Sequence, residues 1–486
     1  MPPPSLRLLH ATLHRTPTRT RMPFRFGIAV MTEAPHVFLH GTFAIDGRES
    51  TGVAAEGLLP KWFDKTPEKN ADQELEEMLL VIRQAVAFAA EISAPTAFAF
   101  WLELYERQLA WAESRGLPPL LAHFGVSMVE RTLIDALARA KDTTLAAMLR
   151  SNLLGIDLGR IHPQLAGREP GELLPERPLS EVVARHTVGL SDPLTAADIA
   201  PDDRVADGLP QSLEDCIGFY GLHHFKLKLG GNLEVDLARL QAIAAIITRA
   251  CGRNYAFTLD GNEQYKDFDR FVTLWERVQQ DPALREFFEK LLFIEQPLHR
   301  SVALDPAVAR ISEWHGGPPM IIDESDAKIG DLARALALGY AGTSHKNCKG
   351  VMKGAVHRCL INHLNTSRGT DWYRMSGEDL VNIGPVALQQ DLAAQAALGN
   401  DTVERNGHHY FRGLSAFPSA VNAAMLGHHS DLYTHLTDDA GRNGIARLDV
   451  QKGQLSLSSI NAAPFGVAAP IPFGEFESVS LSLSAP

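Results

Sequence analysis

The sequence predicts an α/β fold, a parallel barrel of βα units behind an α+β first third, and three observations carry that expectation. The first is a ladder of five short segments that each run into a charged residue: Phe225-Lys226-Leu227-Lys228, Thr258-Leu259-Asp260, Phe293-Ile294-Glu295, Ile321-Ile322-Asp323 and Ser344-His345-Lys346. Counted from Lys228 the intervals are 32, 35, 28 and 23 residues, about the length of one strand, one helix and two loops. The second is helical periodicity between the rungs. Leu233, Leu237, Leu240, Ala244 and Ile247 share one face, with Asn232 positioned to cap the start and Gly252 to end it. The third is a change of rhythm near residue 186, where strands and helices begin to alternate.

Residues 1–23 hold Arg7, Arg15, Arg19 and Arg21, and the first acidic residue is Glu33. They read as a disordered or mis-started extension, with a transit peptide as the alternative. Residues 24–185 read as an α+β domain. Val37-Phe38-Leu39 and Thr42-Phe43-Ala44 are extended, Asp46-Gly47 is a turn dipeptide, and a second extended run covers 51–55. Thr66-Pro67-Glu68 signals a helix start before the helix formers of 70–92. A further helix is expected over 127–149, with Val129, Leu133, Leu137 and Ala140 on one stripe. Residues 186–430 read as the barrel, its first strand at His186-Thr187-Val188-Gly189-Leu190. In the last segment, 431–486, Leu448-Asp449-Val450, the turn Lys452-Gly453 and Leu455-Ser456-Leu457 read as a hairpin packed on the N-terminal domain.

Composition narrows the function. A net charge of −12, from 46 basic and 58 acidic side chains, argues against nucleic acid as a partner. Cys216, Cys251, Cys348 and Cys359 are scattered without paired metal-ligand spacing, as in a reduced cytoplasmic protein. No apolar run approaches 18 residues, so no membrane span is expected.

The ladder carries the chemistry. Parallel barrels gather their strand ends on one face. There Asp260, Glu295 and Asp323 would converge, and three carboxylates stay ionised together only around a cation. Hard oxygen donors favour Mg²⁺ or Mn²⁺ over zinc. Lys226 and Lys228 flank Leu227 and so point to one side of their strand, where each ammonium is expected to depress the other's pKa toward general-base work. Lys346 stands across the ring as a second acid/base. Such a site suits abstraction of the α-proton of a carboxylic acid, with the enediolate held by metal and cationic donors.

These residues resemble the enolase superfamily, within it the mandelate racemase/muconate lactonizing enzyme family and its muconate lactonizing enzyme-like branch. The resemblance rests on Lys226-Leu227-Lys228, Leu259-Asp260-Gly261-Asn262, Ile294-Glu295-Gln296-Pro297, Ile322-Asp323-Glu324-Ser325 and Lys346-Asn347-Cys348-Lys349-Gly350. Ile383-Gly384-Pro385-Val386-Ala387 and Ala463-Pro464-Phe465-Gly466-Val467 extend it, so that it covers about residues 24–470. It implies a modified (β/α)7β barrel with an N-terminal α+β capping domain, completed by the C-terminal segment. It also implies Mg²⁺ on Asp260, Glu295 and Asp323, with Asn262 and Glu324 orienting those ligands. Lys228 and Lys346 would be opposed acid/bases, and Lys226 would contact the substrate carboxylate. Relatives are commonly homo-oligomers acting on small carboxylates.

Departures from the family trim the reaction classes. The mandelate racemase-like and acid-sugar dehydratase branches place a histidine on the seventh strand, whereas Gly377-Glu378-Asp379-Leu380-Val381-Asn382-Ile383 holds none. Dipeptide epimerases carry Asp-x-Asp near the last strand, where this chain has Glu404-Arg405-Asn406-Gly407-His408-His409. A racemase, epimerase or cycloisomerase is the leading expectation. The alternatives are an acid-sugar dehydratase or other lyase, a Schiff-base enzyme using Lys346, and a non-catalytic binding barrel. Lys349, Gly384 and His408 are further candidates for the substrate pocket. Trp62-Phe63 and Phe26-Gly27-Ile28 are candidate cap-loop contacts.

Overall fold

The computed structural model describes residues 6–26, 29–314, 316–437 and 444–483. Gly27 and Ile28 therefore lie outside the described residues. The chain begins with β1 (Arg7–Thr16), β2 (Arg19–Phe26), β3 (Ala29–Glu33), β4 (His36–Ile45) and β5 (Arg48–Gly57). β4 and β5 pair from Ile45↔Arg48 outward around Asp46-Gly47, both at positive φ (52° and 78°), which matches the twist of a two-residue hairpin turn. The sheet is covered by α1 (Ala71–Glu91), α2 (Ala97–Ser114) and α3 (Pro119–Ala140). Asn70 caps α1 in a capping box with Gln73. Gly52 lets α3 lie directly on β5, since a Cβ there would meet the Thr132 carbonyl at 2.1 Å.

Two expectations for this region are corrected. Described residues of the 1–23 segment are not disordered: β1 pairs antiparallel with β4 on one side and a C-terminal strand on the other. The arginines conceal a strand. Leu6, Leu8 and Leu13 are buried, Arg15 pairs with Glu477 at 2.6 Å, and Arg19 pairs with Glu33 at 2.9 Å. The helix expected over 127–149 begins instead at Pro119, whose fixed φ suits a first helical position, and stops at Ala140. Asp142 at φ 47° breaks it before a separate helix, Leu145–Arg150.

The barrel follows as β6 (Glu181–Val188), β7 (His224–Lys228), β8 (Ala256–Asp260), β9 (Leu291–Glu295), β10 (Met320–Ile322), β11 (Gly342–His345), β12 (Arg374–Gly377) and β13 (Thr402–Arg405). Neighbours pair in parallel throughout, and β13 closes the ring on β6. The first strand thus starts at Glu181 rather than His186. The helix Leu233–Cys251 has Asn232 and Gly252 at its ends, as the sequence predicts.

The C-terminal segment differs from the expected hairpin. β14 (Tyr433–Leu436) pairs with β15 (Ile445–Leu448), while β16 (Gln454–Ser456) runs antiparallel to the start of β6. The turn expected at Lys452-Gly453 is present, both residues at positive φ and Gln451 bridged to Gln454, but the strand after it, Gln454–Ser456, extends the barrel sheet on the edge that β6 leaves open before it meets β7. The return to the cap comes later. Pro464 accepts from the Leu145 amide at 2.8 Å, Val467 accepts from Arg139 at 3.0 Å, and β17 (Glu477–Val479) pairs with β1. Among the described residues no helix is long and apolar enough to cross a membrane.

Candidate active site

The site forms at the carboxyl ends of the barrel strands. In the register of neighbouring strands Lys228 lies opposite Asp260, and Asp260 opposite Glu295. The Lys228 ammonium is 2.5 Å from Asp260 and 3.2 Å from the Asn262 side-chain oxygen. The Asn262 amide donates to the other Asp260 oxygen at 2.8 Å, with Asn262 at φ 46° turning the loop back over the strand end. Across the ring the Lys346 ammonium is 2.7 Å from Asp323 and 5.4 Å from the centre of the Trp62 ring. Ser344 also donates to Asp323, and Gln296 accepts from its amide at 2.8 Å.

Lys226 departs from its expected role. Its ammonium lies 2.7 Å from Glu295, 2.7 Å from Glu378, 2.9 Å from Glu404 and 3.0 Å from Asp260. Burial opposes its charge, but those carboxylates together hold it well above the ordinary lysine value. The depression of Lys226 expected from its spacing to Lys228 is thus reversed. Lys346 behaves alike: burial works against its charge, and Asp323 and Glu378 nonetheless raise it. Glu295 is pushed well above the usual carboxylate range, first by burial and then by Asp260 and Glu378. Glu324 rises to about 7, from burial and then the charges of Glu263 and Asp323.

A cavity of about 40 Å³ brings many of the candidates together: Lys226, Lys228, Asp260, Asn262, Asp323, Glu324 and Lys346 all line it. Glu295 is buried behind it against Lys226. Phe24, Leu59, Trp62, Leu380 and Val381 form the apolar wall. Val381 holds φ 56°, a conformation that costs a β-branched residue about 1–3 kcal/mol and needs its surroundings to enforce it. Arg300 fastens the cap loop over this wall by donating to the Trp62 and Phe63 carbonyls at 2.9 and 3.0 Å and to Glu263 at 2.7 Å. Phe63 itself packs on Phe124 of α3, away from the cavity.

Other pocket candidates lie elsewhere. Lys349 is buried behind Asp323, its ammonium 2.9 Å from Ser344 and 3.4 Å from the Asp323 carboxylate. His408 points into the wall behind β6, 3.0 Å from His186, and Gly384 packs against Tyr433; neither lines the cavity. In their place come residues that sequence reasoning missed. Glu378 follows β12 and bonds Lys226 and Arg185; Glu404, on β13, bonds Lys226 and Thr187. Asp379 and Asn406 line the cavity beside them. Burial lifts Asp379 to about 8 although Arg405 lies 3.1 Å away. Glu378 and Glu404 repeat the ladder's own signal, a charge at a strand end.

The acidic donors suit a hard divalent cation. Asp260, Glu295 and Asp323 sit at neighbouring strand ends, and each already draws a cation in the form of a lysine ammonium. The Lys346 ammonium lies 2.7 Å from Asp323 and 3.9 Å from Glu295, and the Lys226 ammonium lies within 3.0 Å of both Glu295 and Asp260.

No protein-family model matches the chain, and no curated protein matches it in sequence. Solved structures do match in fold. A mandelate racemase/muconate lactonizing protein from Herpetosiphon aurantiacus superposes with a TM-score of 0.60 at 16% identity, over 96% of this chain and 99% of that one. An enolase from Bradyrhizobium, complexed with magnesium and mandelic acid, gives 0.57 at 15% identity over 98% and 99%. A dipeptide epimerase from Enterococcus faecalis, complexed with Mg and L-Leu-L-Tyr, gives 0.56 at 13% over 92% and 99%. The chain therefore shares the capped-barrel fold of mandelate racemase/muconate lactonizing enzyme-like members of the enolase superfamily.

Proposed function

We propose that the protein is a metal-dependent enzyme of the enolase superfamily that removes the α-proton of a small carboxylic acid, as a racemase, epimerase or cycloisomerase. The observation that carries this reading is the pair Lys228 and Lys346. Both line one cavity from separate strand ends, and each ammonium rests on a different carboxylate of the acidic trio. Asp260, Glu295 and Asp323 would hold Mg²⁺. When bound, the ion would supply positive charge to the substrate carboxylate and offset the acidic charge that raises Lys346. The fold neighbours crystallised with magnesium and small carboxylates support this assignment.

The residues divide the work. One lysine, as the free amine, takes the α-proton, and the opposed ammonium returns a proton to the other face, which inverts the carbon. Both are required for racemisation, whereas a cycloisomerase needs one. Lys226 holds Glu295, Glu378 and Glu404 in place beneath the reacting centre. Leu59, Trp62 and Val381 exclude water, which strengthens each charge interaction inside. The test is deuterium exchange: carboxylic acids are incubated with protein and Mg²⁺ in D₂O and scored for α-deuterium. Exchange that disappears on chelation supports the proposal. A protein that neither binds Mg²⁺ nor exchanges any α-proton across a broad panel would instead be a binding barrel.

A further inference from the structure

A second cluster of ligating side chains lies outside the barrel mouth. His186 on β6, Cys216 on the helix Leu213–Tyr220 and His409 just past β13 come from distant parts of the chain and are all buried. Each offers a ligand atom within 4.8 Å of the other two, and among the described residues no other trio of His, Cys, Asp or Glu does so. The Cys216 sulfur is 3.5 Å from His409 Nδ1. Tetrahedral zinc, with Zn–S near 2.3 Å and Zn–N near 2.0–2.1 Å, sets sulfur and nitrogen about 3.6 Å apart. His186 commits Nδ1 to Nε2 of His408 at 3.0 Å, which leaves its Nε2 for a ligand. A hydrogen bond at the second nitrogen fixes the orientation of a metal-bound imidazole ring. Asp192 adds a carboxylate 4.0 Å from His409 Nε2, itself anchored by the Tyr410 hydroxyl at 2.6 Å.

We propose that His186, Cys216 and His409 form a zinc site, distinct from the carboxylate centre, in which the Cys216 thiol releases its proton to solvent as the Zn–S bond forms. One thiolate and two imidazoles are a donor set for zinc and not for Mg²⁺. The site is placed to stiffen the cavity. Arg21 of β2 donates to the His409 carbonyl at 3.1 Å and pairs with Asp207 at 2.7 Å. Tyr410, the next residue, stacks at 4.1 Å on Phe24, which forms part of the cavity wall. A metal at His409 therefore fixes the ground on which the N-terminal strands meet the barrel.

The experiment uses reduced full-length protein with Mg²⁺ in excess, first titrated with Zn²⁺ for stoichiometry and then loaded with Co²⁺. One zinc per chain is expected, together with a thiolate-to-cobalt charge-transfer band in the near ultraviolet. Cys216→Ala should remove both, while Asp260→Asn should leave both unchanged. A wild-type cobalt protein without that band overturns the proposal, and this result needs no variant to fold. A band that survives Cys216→Ala also overturns it, since another thiol would then be the ligand.

Discussion

Lys226 is the residue on which the charge balance of the barrel mouth turns. Its replacement by Met would leave Asp260, Glu295, Glu378 and Glu404 buried without their shared ammonium. Breaking a buried ion cluster by removing one partner costs about 3–5 kcal/mol. Urea unfolding of Lys226→Met should show a loss of that order. Lys228 and Lys346 answer to a different measurement. For a racemised substrate, Lys228→Ala and Lys346→Ala should each lower exchange of one enantiomer by roughly 10²–10⁴-fold, the range of general acid–base catalysis. The two variants should affect opposite enantiomers, as followed by NMR in D₂O; loss on the same face in both would exclude opposed bases. These lysines and the acidic trio are legible in the sequence because apolar residues precede most of them and the intervals repeat. Glu378 and Glu404 are not, because β12 reads Arg-Met-Ser-Gly and β13 reads Thr-Val-Glu-Arg, with no apolar run to mark either strand. The charge state of Lys226 is equally hidden: the sequence shows its neighbour Lys228, but not the four carboxylates folded around it.

At the scale of elements, α3 is the contact that locks cap to barrel. Glu130 accepts from the Met352 amide at 2.6 Å, at the start of the helix Val351–Arg368, in a buried interface that also holds Arg131 and Lys353. Burial raises its carboxyl from 4.5 to about 7, against the pull of the Met352 amide and Arg131. Between those values the folded state binds a proton that the unfolded chain has released, so this group costs stability as pH climbs through the window. Glu130→Gln keeps an accepting oxygen and removes the ionisation. Its stability relative to wild type should therefore rise from pH 4.5 to 7 and level off above, as read from melting temperatures across pH. An advantage that shrinks with rising pH would show that Glu130 is ionised in the native interface. Helix periodicity reveals that α3 exists, but its start depends on Pro119 and its end on the left-handed Asp142, details that a stripe of leucines does not carry.

The molecule as a whole is held together by the ends of its chain. β1 lies between β4 and β17, so the cap sheet needs a strand from each terminus. Composition alone makes the first 23 residues look dispensable, since basic residues dominate and the first acid comes at Glu33. Removing residues 1–21 separates the two readings. It deletes β1 with Leu6, Leu8 and Leu13, all buried, and burial of each leucine contributes about 1.5–3 kcal/mol. It also deletes Arg21, leaving the largely buried Asp207 without its guanidinium. The sum rivals the total stability of an ordinary domain, about 5–15 kcal/mol. The truncated chain should thus lose the cap sheet, aggregate on expression or melt far below the full chain, and lose any exchange activity that depends on Phe24 and Trp62 closing the cavity. Circular dichroism and a thermal melt of the truncated chain beside the intact one decide it. An unchanged melt would return residues 1–21 to the status of a tail and remove Arg21 from the architecture of the site.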